Sequence, residues 1–127
     1  MANSIITQID TLKEFQAFAS TNNPGAFVVK FGAEWCGPCK KIEGLVNGCM
    51  EQMPASVQCA ILDVDETFEV YAFFKNKRVI NGIPAILVYY RGNTGFVPDD
   101  IVVGSDQNQV MQLFGRVIRR VNAKVTV

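Results

Sequence analysis

The sequence predicts an α/β fold, a central mixed β-sheet flanked by helices on both faces. Short runs rich in β-branched and aromatic residues alternate with segments whose apolar residues recur at helical spacing, in the order β α β α β α β β α. The runs at 26–31, 57–64 and 84–90 are apolar enough to read as buried strands. No linker, repeat or low-complexity stretch interrupts the pattern, and 127 residues is the size of one domain with a core that needs no covalent staples. The chain is therefore expected to be a single domain over residues 1–127.

Taken in order, Ile5-Ile6-Thr7-Gln8-Ile9 reads as a first strand. Thr11 and Glu14 fit a capping box, and Leu12, Phe15 and Phe18 give a helical apolar face through about Ser20. Asn22-Asn23-Pro24-Gly25 is a turn by composition, and a strand follows at 26–31. A helix then opens near Lys40 and ends before Pro54, and Val57 to Val64 is the next buried strand. Residues 66–78 carry Phe68, Val70, Tyr71, Phe73 and Phe74, a short helix with irregular chain. Pro84–Tyr90 is a strand that starts at a proline; Arg91–Gly95 turns the chain and Ile101–Val103 returns it as a hairpin. Ser105 is expected to cap a last helix whose buried face is Val110, Leu113, Phe114, Val117, Ile118 and Val121.

Between the second strand and the second helix lies Trp35-Cys36-Gly37-Pro38-Cys39. Two thiols three residues apart can open and close a disulfide reversibly. A cysteine at the first turn of a helix has its thiolate favoured by unpaired N–H groups and the positive end of the dipole. Cys36 is thus expected to be the exposed nucleophile. Cys39, one turn in, is the thiol that resolves a mixed disulfide.

Composition narrows the chemistry further. There is no histidine, which removes histidine triads and histidine metal sites. The remaining Cys49 and Cys59 do not make a second C-x-x-C, so no metal is expected and both read as small buried hydrophobes. Twelve basic and twelve acidic side chains cancel, which points away from nucleic acid and anionic lipid. No apolar run approaches membrane-spanning length, and Met1-Ala2-Asn3-Ser4 lacks the start of a signal peptide. A cytoplasmic, reducing setting is expected, where C-x-x-C beside a strand–helix pattern reads as redox chemistry.

Over nearly its whole length the chain resembles a thioredoxin. The resemblance rests on Phe31-Gly32-Ala33-Glu34-Trp35-Cys36-Gly37-Pro38-Cys39-Lys40, then Gly82-Ile83-Pro84, then Val103-Gly104. It implies the thioredoxin fold and a dithiol–disulfide oxidoreductase with a redox-active Cys36–Cys39 pair. It also implies a cis Ile83–Pro84 bond with Pro84 facing the sulfurs. Trp35, Gly37, Pro38, Ile83, Pro84, Val103 and Gly104 would form the shallow groove that docks an extended substrate. Protein disulfides are the implied substrates. No bound cofactor is implied, and electrons would come from a separate reductase or thiol pool.

The chain also departs from the family pattern. Lys30 stands where thioredoxins usually carry a buried aspartate beneath the inner cysteine, and Ile61 where its partner lysine usually lies. Gly44 replaces the helix-kinking proline after the motif, and Ala85 follows Pro84 where threonine is common. The segment before Gly82 and the connection at 91–100 are longer than the usual form. A lysine inside a covered strand must lose its charge or find a carboxylate. Glu43, four residues after Cys39, is the candidate, so Lys30 and Glu43 are expected to meet near Cys39 and modulate its proton transfer. Two other functions remain open on these residues. One is an interaction module whose disulfide is incidental, and the other is a reductase dedicated to one partner.

Overall fold

The structure, a computed structural model, describes residues 3–123. Its sheet has four strands in the order β2-β1-β3-β4. β1 (Ala26–Gly32) pairs in parallel with β2 (Val57–Asp63) and antiparallel with β3 (Ala85–Tyr90), which in turn pairs antiparallel with β4 (Asp100–Val103). Parallel neighbours need a crossover, and α2 (Gly37–Glu51) supplies the one between β1 and β2. Around it lie α1 (Leu12–Gln16), α3 (Phe68–Asn76) and α4 (Gln107–Ala123).

Every residue of β1 is buried, and strand periodicity divides them between two cores. Ala26 and Val28 pack with Ile42, Val46 and Met50 of α2 and with Val110, Leu113, Phe114, Val117 and Val121 of α4. Phe27, Val29 and Phe31 face the opposite way, towards Phe15, Val70, Phe74 and Tyr89. Each of the larger aliphatic and phenylalanine side chains among them stabilises the fold by roughly 1.5–3 kcal/mol through burial. Phe15 is the hub of the second core, with ring centroids 5.5 Å from Phe27, 5.1 Å from Phe74 and 5.6 Å from Tyr89, all edge-on. Among the described residues no helix is long and apolar enough to cross a membrane.

The structure corrects three local expectations. The segment Ile5–Ile9 is not a strand; only Ile6 bridges the sheet, opposite Ala60. Side-chain amides hold the neighbouring residues in place of a ladder: Asn3 donates to the Ala55 and Val57 carbonyls, and Gln58 to that of Ser4. The first helix keeps its capping box but is α-helical only to Gln16, and Ala17–Thr21 widens into a π turn. There the Ser20 hydroxyl donates to the Gln16 carbonyl and the Asn23 amide to that of Ala19, so side chains occupy acceptors of the helical ladder.

The last helix is capped by Asp106 rather than Ser105. The Asp106 carboxylate accepts from Gln109 N–H at 3.1 Å, and its carbonyl takes the first helical bond, from Val110 N–H. Asp106→Ala should therefore cost about 1 kcal/mol in chemical denaturation. Ser105→Ala should stay within about 0.5 kcal/mol.

The long connection after β3 is ordered by polar contacts. Tyr90 N–H donates to Asp99 at 2.7 Å, and the Tyr89 hydroxyl to the Phe96 carbonyl at 2.6 Å. Phe96 lays its ring 4.6 Å from that of Phe73, which ties the connection to α3.

Candidate active site

β1 ends at Gly32, the chain turns through Ala33, Glu34 and Trp35, and Cys36 becomes the N-cap of α2 with an extended backbone. Its Sγ accepts the Cys39 N–H at 3.2 Å, in the manner of a capping oxygen. Pro38 lies within the first turn, where its missing N–H leaves no bond unmade. Cys36 and Cys39 are joined as a disulfide with Cα atoms 5.3 Å apart. The Cys36 sulfur thus sits on an orphan amide at the positive end of a fifteen-residue helix.

The Ile83–Pro84 bond is cis, and the Ile83 carbonyl oxygen lies 3.8 Å from Cys36 Sγ. On its other side Pro84 accepts a hydrogen bond from Gly104 N–H at 2.8 Å, and Ala85 pairs with Val103. Gly104 has φ +113°, a conformation that suits glycine and leaves its N–H free to reach Pro84. The three quoted motifs therefore meet at one surface. Gly37 and Pro38 are exposed on one side of the sulfurs, Ile83 and Gly104 are half-buried, and Pro84 is buried between them. Trp35 is 69% exposed and Val103 41% exposed. The Trp35 indole N–H donates to Asp65 Oδ2 at 2.8 Å, which fixes the ring beside the disulfide. Sequence reasoning missed Asp65; its only trace is the acidic turn directly after a buried strand.

One expectation about the thiols is corrected. Cys36 is not exposed here: it is 5% accessible and Cys39 4%. In the disulfide its sulfur turns inward to Cys39 and under the Ile83 carbonyl. Reactivity after reduction must come from thiolate character more than from standing access. The other two thiols lack that character, since burial pushes Cys59 up to about 12 and also raises Cys49. Alkylation of the reduced protein near neutral pH should label Cys36 first and Cys59 last, as read by peptide mapping.

Lys30 and Glu43 both line a cavity beside Cys39, but they do not form the expected ion pair. Lys30 is 5% exposed and sits in the middle of the sheet, opposite Ile61 on one side and Ile86 on the other. Among the described residues the one ion pair is Arg116–Asp100, so Lys30 and Glu43 form none. The buried stripe of α2 runs through Cys39, Ile42, Val46 and Met50, which leaves Glu43 at the solvent edge. Burial lowers the Lys30 amine below its ordinary value, and the Glu43 charge opposes this only in part.

Lys30 instead lines an open cavity of about 680 Å³ with Cys39, whose other walls include Gly32, Glu34, Lys40, Glu43, Asp63 and Glu66. Gly32, another residue that sequence reasoning passed over as a site element, separates the two. A Cβ placed on it would lie 3.4 Å from Cys39 Sγ and 3.6 Å from Lys30 Cε.

The thioredoxin family model matches residues 6–114. The chain is similar to thioredoxin of Mycoplasma pneumoniae, 31% identical over 104 residues that cover 78% of this chain and 95% of the relative. It is 33% identical over 100 residues to thioredoxin 1 of Plasmodium falciparum, covering 79% of this chain and 86% of that one. Among solved structures, Plasmodium falciparum thioredoxin superposes with a TM-score of 0.69 at 27% identity, over 88% of this chain and 98% of the other. Thioredoxin from Trypanosoma brucei brucei shares the fold, with a TM-score of 0.71 at 23% identity over 94% and 95% of the two chains.

Proposed function

This chain belongs to the thioredoxin family and is a thiol–disulfide oxidoreductase, and from that premise we propose that Cys36 opens protein disulfides and Cys39 closes the cycle. The observation that supports the order of the two sulfurs is the Cys39 N–H donated to Cys36 Sγ at the helix N-terminus. The same donor stabilises negative charge on Cys36 once the disulfide is reduced.

The Cys36 thiolate attacks one substrate sulfur, the substrate disulfide breaks, and the other substrate sulfur leaves as a thiolate that takes a proton from water. Cys39 then loses its proton and attacks Cys36 Sγ. The mixed disulfide breaks, the second substrate sulfur leaves as a thiolate that also takes a proton from water, and Cys36–Cys39 is oxidised. Two electrons and two protons have passed to the substrate. A separate reductase or a thiol pool returns the electrons, and no bound cofactor takes part.

Trp35, Gly37, Pro38, Ile83, Pro84, Val103 and Gly104 form the docking groove in this reading, with Pro84 against the sulfurs and the bare Gly104 backbone open to an extended partner strand. A dithiol that must stay reducible suits a reducing compartment, and we place the protein in the cytoplasm.

Trapping tests the reading. Cys39→Ser incubated with a disulfide-bonded protein should accumulate a covalent adduct through Cys36 that dithiothreitol releases. No adduct, or one through Cys49 or Cys59, would overturn the assignment.

A further inference from the structure

We propose that Asn81 is a site of spontaneous deamidation, and that the isoaspartate it leaves slows the sulfur site beside it. The effect on turnover rests on the dithiol reading above; the modification itself does not. Asparagine precedes glycine twice in the chain, at Asn47–Gly48 and at Asn81–Gly82. Deamidation begins when the nitrogen of the next residue attacks the asparagine side-chain carbon. It is favoured by a following residue with no side chain and needs a backbone free to bring the two atoms together. The two pairs share the first condition and differ in the second.

Asn47–Gly48 lies inside α2 and is half-buried. The helix fixes the backbone angles of Asn47 and commits the Gly48 N–H to a carbonyl one turn back. Asn81–Gly82 lies in the irregular segment between α3 and β3, with Asn81 exposed. Among the described residues neither the Asn81 side chain nor the Gly82 N–H has a hydrogen-bond partner. A Cβ placed on Gly82 would meet nothing within 4 Å, so the space for ring closure is open. Asn93, in the turn after β3, shows what restraint looks like. Its amide donates to the Val97 carbonyl and to Asp99, its side-chain oxygen accepts the Gly95 N–H, and the β-branched Thr94 follows it.

The reaction balances with water as the only co-reactant. The Gly82 nitrogen bonds to Asn81 Cγ, the bond from Cγ to the amide nitrogen breaks, and that nitrogen leaves as ammonia with the proton from Gly82. Water then opens the succinimide. Opening at the side-chain carbonyl gives aspartate; opening at the main-chain carbonyl gives isoaspartate, whose backbone is longer by one methylene. Asn81 stands two residues before Ile83, whose carbonyl oxygen lies 3.8 Å from Cys36 Sγ. Both products add a carboxylate to a chain whose twelve basic and twelve acidic groups otherwise cancel. Only isoaspartate also lengthens the backbone that carries the Ile83 carbonyl, and small misplacements next to reacting atoms are costly.

Peptide mapping of the full-length oxidised protein, aged in warm, mildly alkaline buffer, tests the site. Trypsin separates the two pairs into peptides 42–75 and 79–91. The second should gain its acid at least about tenfold faster than the first, because Gly48 must leave the helical ladder before it can react. In urea-unfolded protein that ladder is gone, and the two rates should agree within about threefold. Isoaspartyl methyltransferase should label peptide 79–91 of the aged wild type and leave that of aged Asn81→Gln unlabelled. The isoaspartyl fraction, resolved by chromatography, should reduce a protein disulfide at least about tenfold more slowly than fresh protein. Asn81→Asp carries the charge on a backbone of normal length and should stay within about threefold of wild type. A retained Asn81 amide, or equal conversion at Asn47 and Asn81 in the folded protein, would overturn the site. An isoaspartyl fraction as active as fresh protein, or Asn81→Asp as slow as that fraction, would overturn the effect assigned to the longer backbone. Fresh wild type that reduces no disulfide would instead overturn the dithiol reading, and the peptide map would still read the modification.

Discussion

Cys36→Ser will abolish reduction of protein disulfides, by on the order of 10³-fold or more, because the nucleophile itself is removed. A serine hydroxyl is almost wholly protonated near neutral pH and cannot form the mixed disulfide. The fold should survive the change. Cys36 is the N-cap of α2, and serine is a preferred residue there whose oxygen accepts from N2 or N3 as the sulfur now does. The variant should therefore melt close to the reduced wild type while its initial rate of disulfide reduction, with dithiothreitol as electron source, falls to background. Residual activity within tenfold of the wild type would mean that another sulfur carries the reaction.

The largest effect on stability is expected at Phe15, far from the sulfurs in function but central in packing. Its ring touches those of Phe27, Phe31, Phe74 and Tyr89, joining α1, the sheet and α3. Phe15→Ala should cost about 3–5 kcal/mol, the range for deleting a buried aromatic where the neighbours are already locked edge to face. Against a total of about 5–15 kcal/mol for a protein of ordinary stability, that leaves the variant marginal. Phe15→Leu refills most of the space and should lose less than half as much. Urea denaturation followed by Trp35 fluorescence reads both. Equal, small losses would show that the two cores divide the burden differently.

The alternation of strands and helices, the capping box at Thr11 and the three surface motifs were legible because each is a local pattern with a local cause. What escaped were choices settled by neighbours distant in sequence. Ile5–Ile9 has the composition of a strand, yet only Ile6 exchanges backbone hydrogen bonds with β2, and side-chain amides of Asn3 and Gln58 hold the residues around it, which no periodicity reveals. Ser105 and Asp106 are both capping residues, and only the path of the chain leaving β4 decides between them. Glu43 lies one turn after Cys39, as spacing requires, but the 40° by which four residues overshoot a helical turn sets it outside the buried stripe. The cover over Cys36 belongs to the Ile83 carbonyl, forty-seven positions away, and the Trp35–Asp65 bond joins residues thirty positions apart.

Lys30 has a consequence for how the chain finds its pairing. Sliding β1 by one residue against its neighbours would send each of its side chains to the opposite face. Most of the strand would tolerate this, since Ala26, Phe27, Val28, Val29 and Phe31 are apolar and suit either core. Lys30 would not: it would enter the aromatic cluster of Phe15, Phe74 and Tyr89, with no cavity, no opening to water and a charge to desolvate. The lysine that lies beside the resolving sulfur thus acts as a pin in an otherwise slippery strand, and it admits one alignment of the sheet.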